Sequence, residues 1–159
     1  MKELKIDLSM IWEAMEDVNR EYIEYYLDRD TGEVIVLSEE ATAYAEEEKL
    51  RDDLPEWMQD EVKVAKDILY NNPDRYINIP EKPSYESYHM MVEYTEGIMD
   101  ELLKEKLKIA LAGKGAFRRF KMVLDDYPDY QQKWFQYKEQ RLKAEAIDWL
   151  KSIGIKAIE

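Results

Sequence analysis

Tyr22-Ile23-Glu24-Tyr25-Tyr26-Leu27-Asp28-Arg29-Asp30-Thr31-Gly32-Glu33-Val34-Ile35-Val36-Leu37 decides the fold. Ile23, Tyr25 and Leu27 alternate with Tyr22, Glu24 and Tyr26, the two-residue period of a strand. Val34 to Leu37 supplies a second strand. Between them, Asp residues turn the chain and Gly32 takes the positive φ that closes a bulged loop. A hairpin thus spans Glu21 to Leu37. A lone hairpin is marginal in water, so it needs further strands and a cover. Tyr76-Ile77-Asn78-Ile79, stopped by Pro80 and Pro83, reads as the third strand.

Outward from the hairpin the period changes to that of a helix. Met10, Ile11, Ala14, Met15 and Val18 recur at three and four, which predicts a helix from Ser9 to Val18 capped by Asp7 or Ser9. Glu39 to Asp53 is rich in Ala and Glu, with Glu46-Glu47-Glu48 repelling one another, and reads as an exposed helix or a linker. Pro55 opens a helix from Leu54 to Leu69. Ser84 is expected to cap a helix to Met99, and Asp100 another to Ala112. Ala116 to Asp125 is a short helix, and Pro128 to Ser152 a long one ended by Gly154. The fold class is α+β: a small antiparallel, three-stranded sheet with an N-terminal hairpin, packed against several C-terminal helices. The 159 residues suit a single domain, 1–159, with an acidic portion 1–80 and a helical portion 81–159.

Charge narrows the partners. The chain holds 36 acids and 23 bases, a net of −13. Residues 1–80 hold 22 acids and 9 bases, so they carry all of the excess; residues 81–159 hold 14 of each. Such a surface repels nucleic acid and anionic membranes and suits a basic or mixed-charge protein partner. No cysteine is present, so disulfides and thiolate metal sites are excluded. No apolar stretch is long enough to span a bilayer and the start lacks signal-peptide character, so a cytoplasmic protein is expected.

One block contradicts local physics. From Lys106 to Leu124 there are six bases and no acid. Lys114, Arg118 and Arg119 crowd the start of the short helix, with Lys121 one turn along, although a helix N-terminus carries partial positive charge. Asp125 and Asp126 sit at the opposite end, also with the wrong sign. Something negative should answer these bases: the protein's own acids, a small anion, or an acidic partner surface. The free N–H groups, Gly113-Lys114-Gly115 and two Arg forks would suit a phosphate or carboxylate. The spacing of a P-loop is absent. Two helices about a Gly-containing turn approximate a helix-turn-helix, but the bulk charge opposes nucleic acid. Phe117, Phe120 and Leu124 follow helical spacing and read as a core stripe rather than a stacking platform.

Other chemistries find little footing. Glu86 and His89 have the spacing of one half of a carboxylate-bridged di-iron motif, but a second half is missing and His89 is the sole histidine. No nucleophile elbow, triad or cofactor motif is present, so no metal, cofactor or catalytic residue is assigned. Tyr22, Tyr26 and Tyr44 either form an exposed aromatic strip or line a sheet face beneath the 54–69 helix, the arrangement we favour.

Leu111-Ala112-Gly113-Lys114-Gly115-Ala116-Phe117-Arg118-Arg119-Phe120-Lys121 resembles a block of the uncharacterised bacterial protein family UPF0158. The Tyr-rich hairpin with Thr31-Gly32-Glu33, the strand Tyr76-Ile77-Asn78-Ile79-Pro80 and the helix carrying Trp134, Phe135 and Arg141 to Trp149 extend the likeness over residues 4–155. Glu39 to Asp53 matches least. The resemblance implies one intracellular bacterial domain and no activity. The reading that follows is a non-enzymatic binding or regulatory module with two surfaces, the acidic portion and the site of Lys114, Arg118, Arg119 and Lys121. An enzyme acting on a small anion and a nucleic-acid-related protein are the alternatives, and a homodimer is left open.

Overall fold

A computed structural model describes residues 1–47 and 53–158. In chain order its elements are β1 (Lys2–Lys5), α1 (Leu8–Glu16), β2 (Ile23–Asp28), β3 (Val34–Ser38) and α2 (Glu39–Ala45). Then come α3 (Glu56–Lys66), a π-helical turn (Asp67–Asn71), a 3-10 turn (Pro73–Arg75) and β4 (Tyr76–Asn78). The rest is α4 (Ser84–Glu96), α5 (Glu101–Ala110), α6 (Ala116–Asp125), α7 (Pro128–Ser152) and β5 (Ile155–Ile158). The class is α+β. No helix of the described residues is long and apolar enough to cross a membrane. The chain gathers into two compact units, residues 1–81 with 145–159, and residues 82–144.

The hairpin organises the first unit. β2 is the central strand of an antiparallel sheet ordered β3-β2-β4, with Leu27 opposite Val34 on one side and Ile77 on the other. Alternation along β2 sends its side chains to two clusters. Leu27 is fully buried with Ile11, Ala14, Ile79, Ala146 and Leu150, and Tyr25 packs against that group. Tyr26 packs with Tyr44 against Leu37, Ala41, Met58, Val62 and Ala65. Thus α1 and the last turns of α7 cover one face, and α2 and α3 the other. Tyr26 and Tyr44 line the covered face, and only Tyr22 of the three tyrosines is strongly exposed.

A second, two-stranded sheet went unseen in the sequence. β1 lies parallel to β5, Lys2 opposite Ile155 and Lys5 opposite Ile158. The acidic stretch is also less exposed than expected. Ser38 caps α2 by accepting from the Ala41 N–H at 3.1 Å, and Ala41 and Ala45 are buried. Small alanine side chains let α2 and α3 approach closely, and the Ser38 hydroxyl donates to Glu61 of α3 at 2.7 Å. The expectation for 39–53 is therefore corrected over 39–45, while residues 48–52 lie outside the described residues. Two helix boundaries also move. Ser84 is the first residue of α4 rather than its cap, because extended Pro83 holds the cap position and makes no side-chain bond there. α4 ends at Glu96, not at Met99. Asp7 caps α1 and Asp100 caps α5, each accepting a backbone N–H.

The hairpin loop is fastened by one buried carboxylate. Asp28 receives both a 3.0 Å and a 2.8 Å bond from the Arg75 guanidinium, which arrives from the turn before β4. It also accepts the Asp30 N–H at 2.9 Å. Burial pushes the Asp28 carboxyl up, but the Arg75 fork and the N–H groups of the loop outweigh it and hold the group at about 2. Gly32 completes the loop at φ 80°, where a Cβ would lie 2.5 Å from the Lys5 carbonyl oxygen at the end of β1. A carboxyl depressed by folding stabilises the native state above its unfolded pKa, and that stability disappears as pH falls through the folded value. Asp28→Asn should therefore cost about 2–3 kcal/mol in urea unfolding at pH 7. The gap between wild type and variant should narrow as the pH falls from 4 toward 2, and a gap independent of pH would count against this account.

Candidate functional site

The second unit places the acid-free block on α5, the turn after it, and α6. The last carbonyls of any helix lack partners within it. At the end of α5 backbone N–H groups serve Leu107 and Ile109, and Arg119 serves the last carbonyl and two more in the turn that follows. Its Nε donates to the Ala110 carbonyl at 3.0 Å, Nη2 donates to Ala112, and Nη1 to Lys114. The turn is shaped for this. Gly113 and Gly115 have φ of 78° and 79°, and a Cβ on Gly115 would come within 3.1 Å of Arg119 Nη1. Arg119 is thus near the N-terminus of α6 in sequence but lies against the negative end of α5 in space.

The other end of α6 is balanced in a similar way. Lys106 of α5 reaches Tyr127, donating to its hydroxyl at 3.0 Å and lying 5.4 Å from the ring centroid. The hydroxyl raises the Lys106 pKa, and Asp126 adds to it. Asp125 accepts from the Gln131 side-chain amide at 2.8 Å. The apparent reversal of charge on α6 is therefore answered in part by neighbouring backbone and side chains.

Arg118 has no such answer. It is exposed, with no hydrogen bond or ion pair among the described residues, and the side chains of Lys114 and Lys121 are exposed as well. The four bases do not converge: one is turned back onto α5, and three face outward. Beside them opens a cavity of about 400 Å³ between the first turn of α4 and the α5–α6 turn, walled by Tyr85, Tyr88, Leu111, Lys114 and Phe117. Tyr88 is fixed there by donating its hydroxyl to the Leu111 carbonyl at 2.9 Å. No side chain caps the first turn of α6, which borders the cavity. No carboxylate lines it.

The aromatic stripe of α6 divides. Phe120 and Leu124 are fully buried, Phe120 meeting Trp134 edge-on at 5.0 Å, whereas Phe117 is 42% exposed at the cavity mouth. Tyr85 and Tyr88 were not singled out in the sequence. Their spacing of three residues at the start of a predicted helix was visible, but nothing local marked that face as open. Both rings flank His89, at 6.4 and 6.3 Å. Among the described residues, no group of three His, Asp or Glu side chains could hold a metal ion with Glu86 and His89.

The class so defined is an α+β chain whose second unit carries an open groove lined by Tyr85, Tyr88, Lys114 and Phe117. The chain belongs to the family described as Uncharacterised protein family (UPF0158), which it matches over residues 1–158. It is similar to a UPF0158 protein of Pseudomonas aeruginosa, 26% identical over 155 residues that make up 98% of this chain and 87% of that one. UPF0158 proteins of Chlamydia trachomatis and Chlamydia muridarum are 30% and 29% identical over 130 residues, 81% of this chain. The chain spans only about a third of the length of those chlamydial relatives, 35% and 34%. No solved structure matches it.

The two adjacent arginines should separate cleanly in a stability measurement. Arg119→Ala removes the donor to the last carbonyl of α5 and to the Ala112 and Lys114 carbonyls of the turn, and should cost about 2 kcal/mol. Arg118→Ala should change stability by less than about 0.5 kcal/mol. Urea unfolding of both variants checks this, and equal losses would mean the assignment of the two guanidinium groups is wrong.

Proposed function

We propose that this protein is a non-enzymatic binding module that takes a short acidic segment of a partner protein on the α4–α6 face of its second unit. The observation that carries the reading is the unanswered cation Arg118 beside a groove with tyrosine and phenylalanine walls, Lys114 at its edge and no acid in it. An acidic side chain of the partner would meet Lys114, Arg118 or Lys121, and the free N–H groups of α6. An apolar or aromatic side chain would enter between Tyr85, Tyr88 and Phe117, where fixed rings give contact area at low entropic cost.

Charge distribution supports a short ligand over a long polyanion. Residues 82–144 hold 12 bases and 10 acids, a net of +2, while the rest hold 11 bases and 26 acids, a net of −15. An extended nucleic acid would bring many phosphates within reach of that repulsion, whereas a few residues of acidic peptide need only the local basic face. The enzyme alternative is less well supported, because the groove offers no carboxylate or thiol positioned for proton transfer or attack.

The test uses a labelled random copolymer of Glu and Tyr, which presents both chemistries. Wild type should bind it with an affinity that falls steeply as salt rises, and Lys114→Glu with Arg118→Glu should weaken binding at least about tenfold. Far-UV circular dichroism should show the variant folded. Undiminished binding by the folded variant would exclude this face.

A further inference from the structure

We infer that the second unit also carries a site for an alkylammonium cation, at the C-terminal end of α4, where the Glu93 carboxylate and the rings of Tyr94, Tyr130 and Tyr137 border a cavity of about 330 Å³. It is distinct from the groove at the α5–α6 turn, shares no lining residue with it, and does not depend on the function proposed there.

Three features of the cavity favour positive charge. The first is a half-used carboxylate. Arg141 and Tyr137 both donate to Oε2 of Glu93, the hydroxyl at 3.1 Å, and among the described residues Oε1 accepts from no side chain or backbone donor. The Arg141 guanidinium, followed by the Tyr137 hydroxyl, holds the Glu93 carboxyl below its ordinary range, so it is ionised through neutral pH. Arg141 itself does not line the cavity. The second feature is the helix end. Gly97, Ile98 and Met99 line the cavity just past α4, whose last turn contains no basic residue to balance its partial negative charge.

The third feature is the aromatic wall. The Tyr94 ring is 5.3 Å from Trp134 and 5.5 Å from Tyr137, and the Tyr94 hydroxyl donates to the Tyr130 carbonyl at 2.6 Å. The Tyr94 ring is thus held by tilted contacts with Trp134 and Tyr137 and by its own hydroxyl. Ring faces attract ammonium groups through their quadrupoles. The protein already shows this, since Lys133 Nζ lies 5.1 Å from the Tyr130 centroid. Lys133 is exposed, so its ammonium competes with a ligand for the Tyr130 face, and the Arg141 guanidinium lies 5.8 Å from the Tyr137 centroid beside Glu93. A methylated ammonium suits such a site because its methyl groups contact the rings, and its charge needs only one free carboxylate oxygen and a helix end.

The sign of the Lys133 effect separates this reading from its opposite. In an NMR titration of the full chain, tetramethylammonium chloride should shift the Gly97, Ile98 and Met99 amides and the Trp134 indole saturably, beyond any change from equal sodium chloride. Glu93→Gln should weaken the interaction about fivefold, as should Tyr130→Leu, which keeps the carbonyl that Tyr94 uses. Lys133→Met should strengthen it. A trimethyl-lysine dipeptide binding at least about tenfold tighter would assign the cation to a protein partner, and equal affinity to a free small molecule; either supports the site. Shifts matching sodium chloride, or weaker binding by Lys133→Met, would overturn it, the latter because an anion site would lose its only lining cation.

Discussion

The last carbonyl of α5 and two carbonyls of the turn after it need donors from outside the helix, and one side chain supplies all three. Arg119 reaches back from the first turn of α6 and serves Ala110, Ala112 and Lys114 together. That arrangement places Gly113 and Gly115 in left-handed backbone, which favours glycine, and at Gly115 a Cβ would also push on Arg119 at 3.1 Å. Once the turn is closed in this way, Arg118 has no carbonyl to serve and faces solvent. The groove along Tyr85, Tyr88 and Phe117 is shaped by the same closure, since Tyr88 holds the neighbouring Leu111 carbonyl. Two adjacent, chemically identical residues therefore have opposite surroundings, Arg119 bonded to backbone carbonyls and Arg118 exposed.

Guanidinium groups serve backbone oxygens elsewhere too. Arg20 is almost fully buried in the first unit, where it donates to the Ala14 carbonyl at 3.2 Å and the Ile79 carbonyl at 2.7 Å. It joins the end of α1 to the exit of β4, and its Nη2 also meets Glu24 at 2.8 Å. Arg75 instead meets a carboxylate. In a chain with so many acids, only some of the arginines are free to answer acidic side chains. By composition the first unit carries a net of −15, against +2 in the second.

What the sequence made legible followed from how local each signal is. The hairpin was readable because alternation and turn chemistry both lie within sixteen residues. α6 and α7 were bounded correctly by Gly115, Pro128 and Gly154. The β1–β5 pair was not readable: its partners are about 150 residues apart, and Leu4 is the only apolar side chain in β1. The burial of α2 was missed because Ala41 and Ala45 bury little area individually, and their value lies in close approach to α3. At the candidate site the sequence singled out Lys114, Arg118, Arg119 and Lys121 through their misplaced charge. It could not show where Arg119 would go, because backbone carbonyls carry no sequence signature. Tyr85 and Tyr88 escaped notice for a related reason: whether an aromatic residue faces a core or an open groove is decided by the opposing element.

The division of labour between Arg118 and Arg119 can be observed without mutation or ligand. Side-chain Nε–Hε signals in nitrogen-15 spectra report on each guanidinium separately, and a proton held in a hydrogen bond exchanges slowly with water. The account predicts a protected Arg119 Nε–Hε, donated to Ala110, and an Arg118 signal that exchanges as freely as in an unfolded chain. Equal exchange at both, or protection at Arg118 alone, would contradict it.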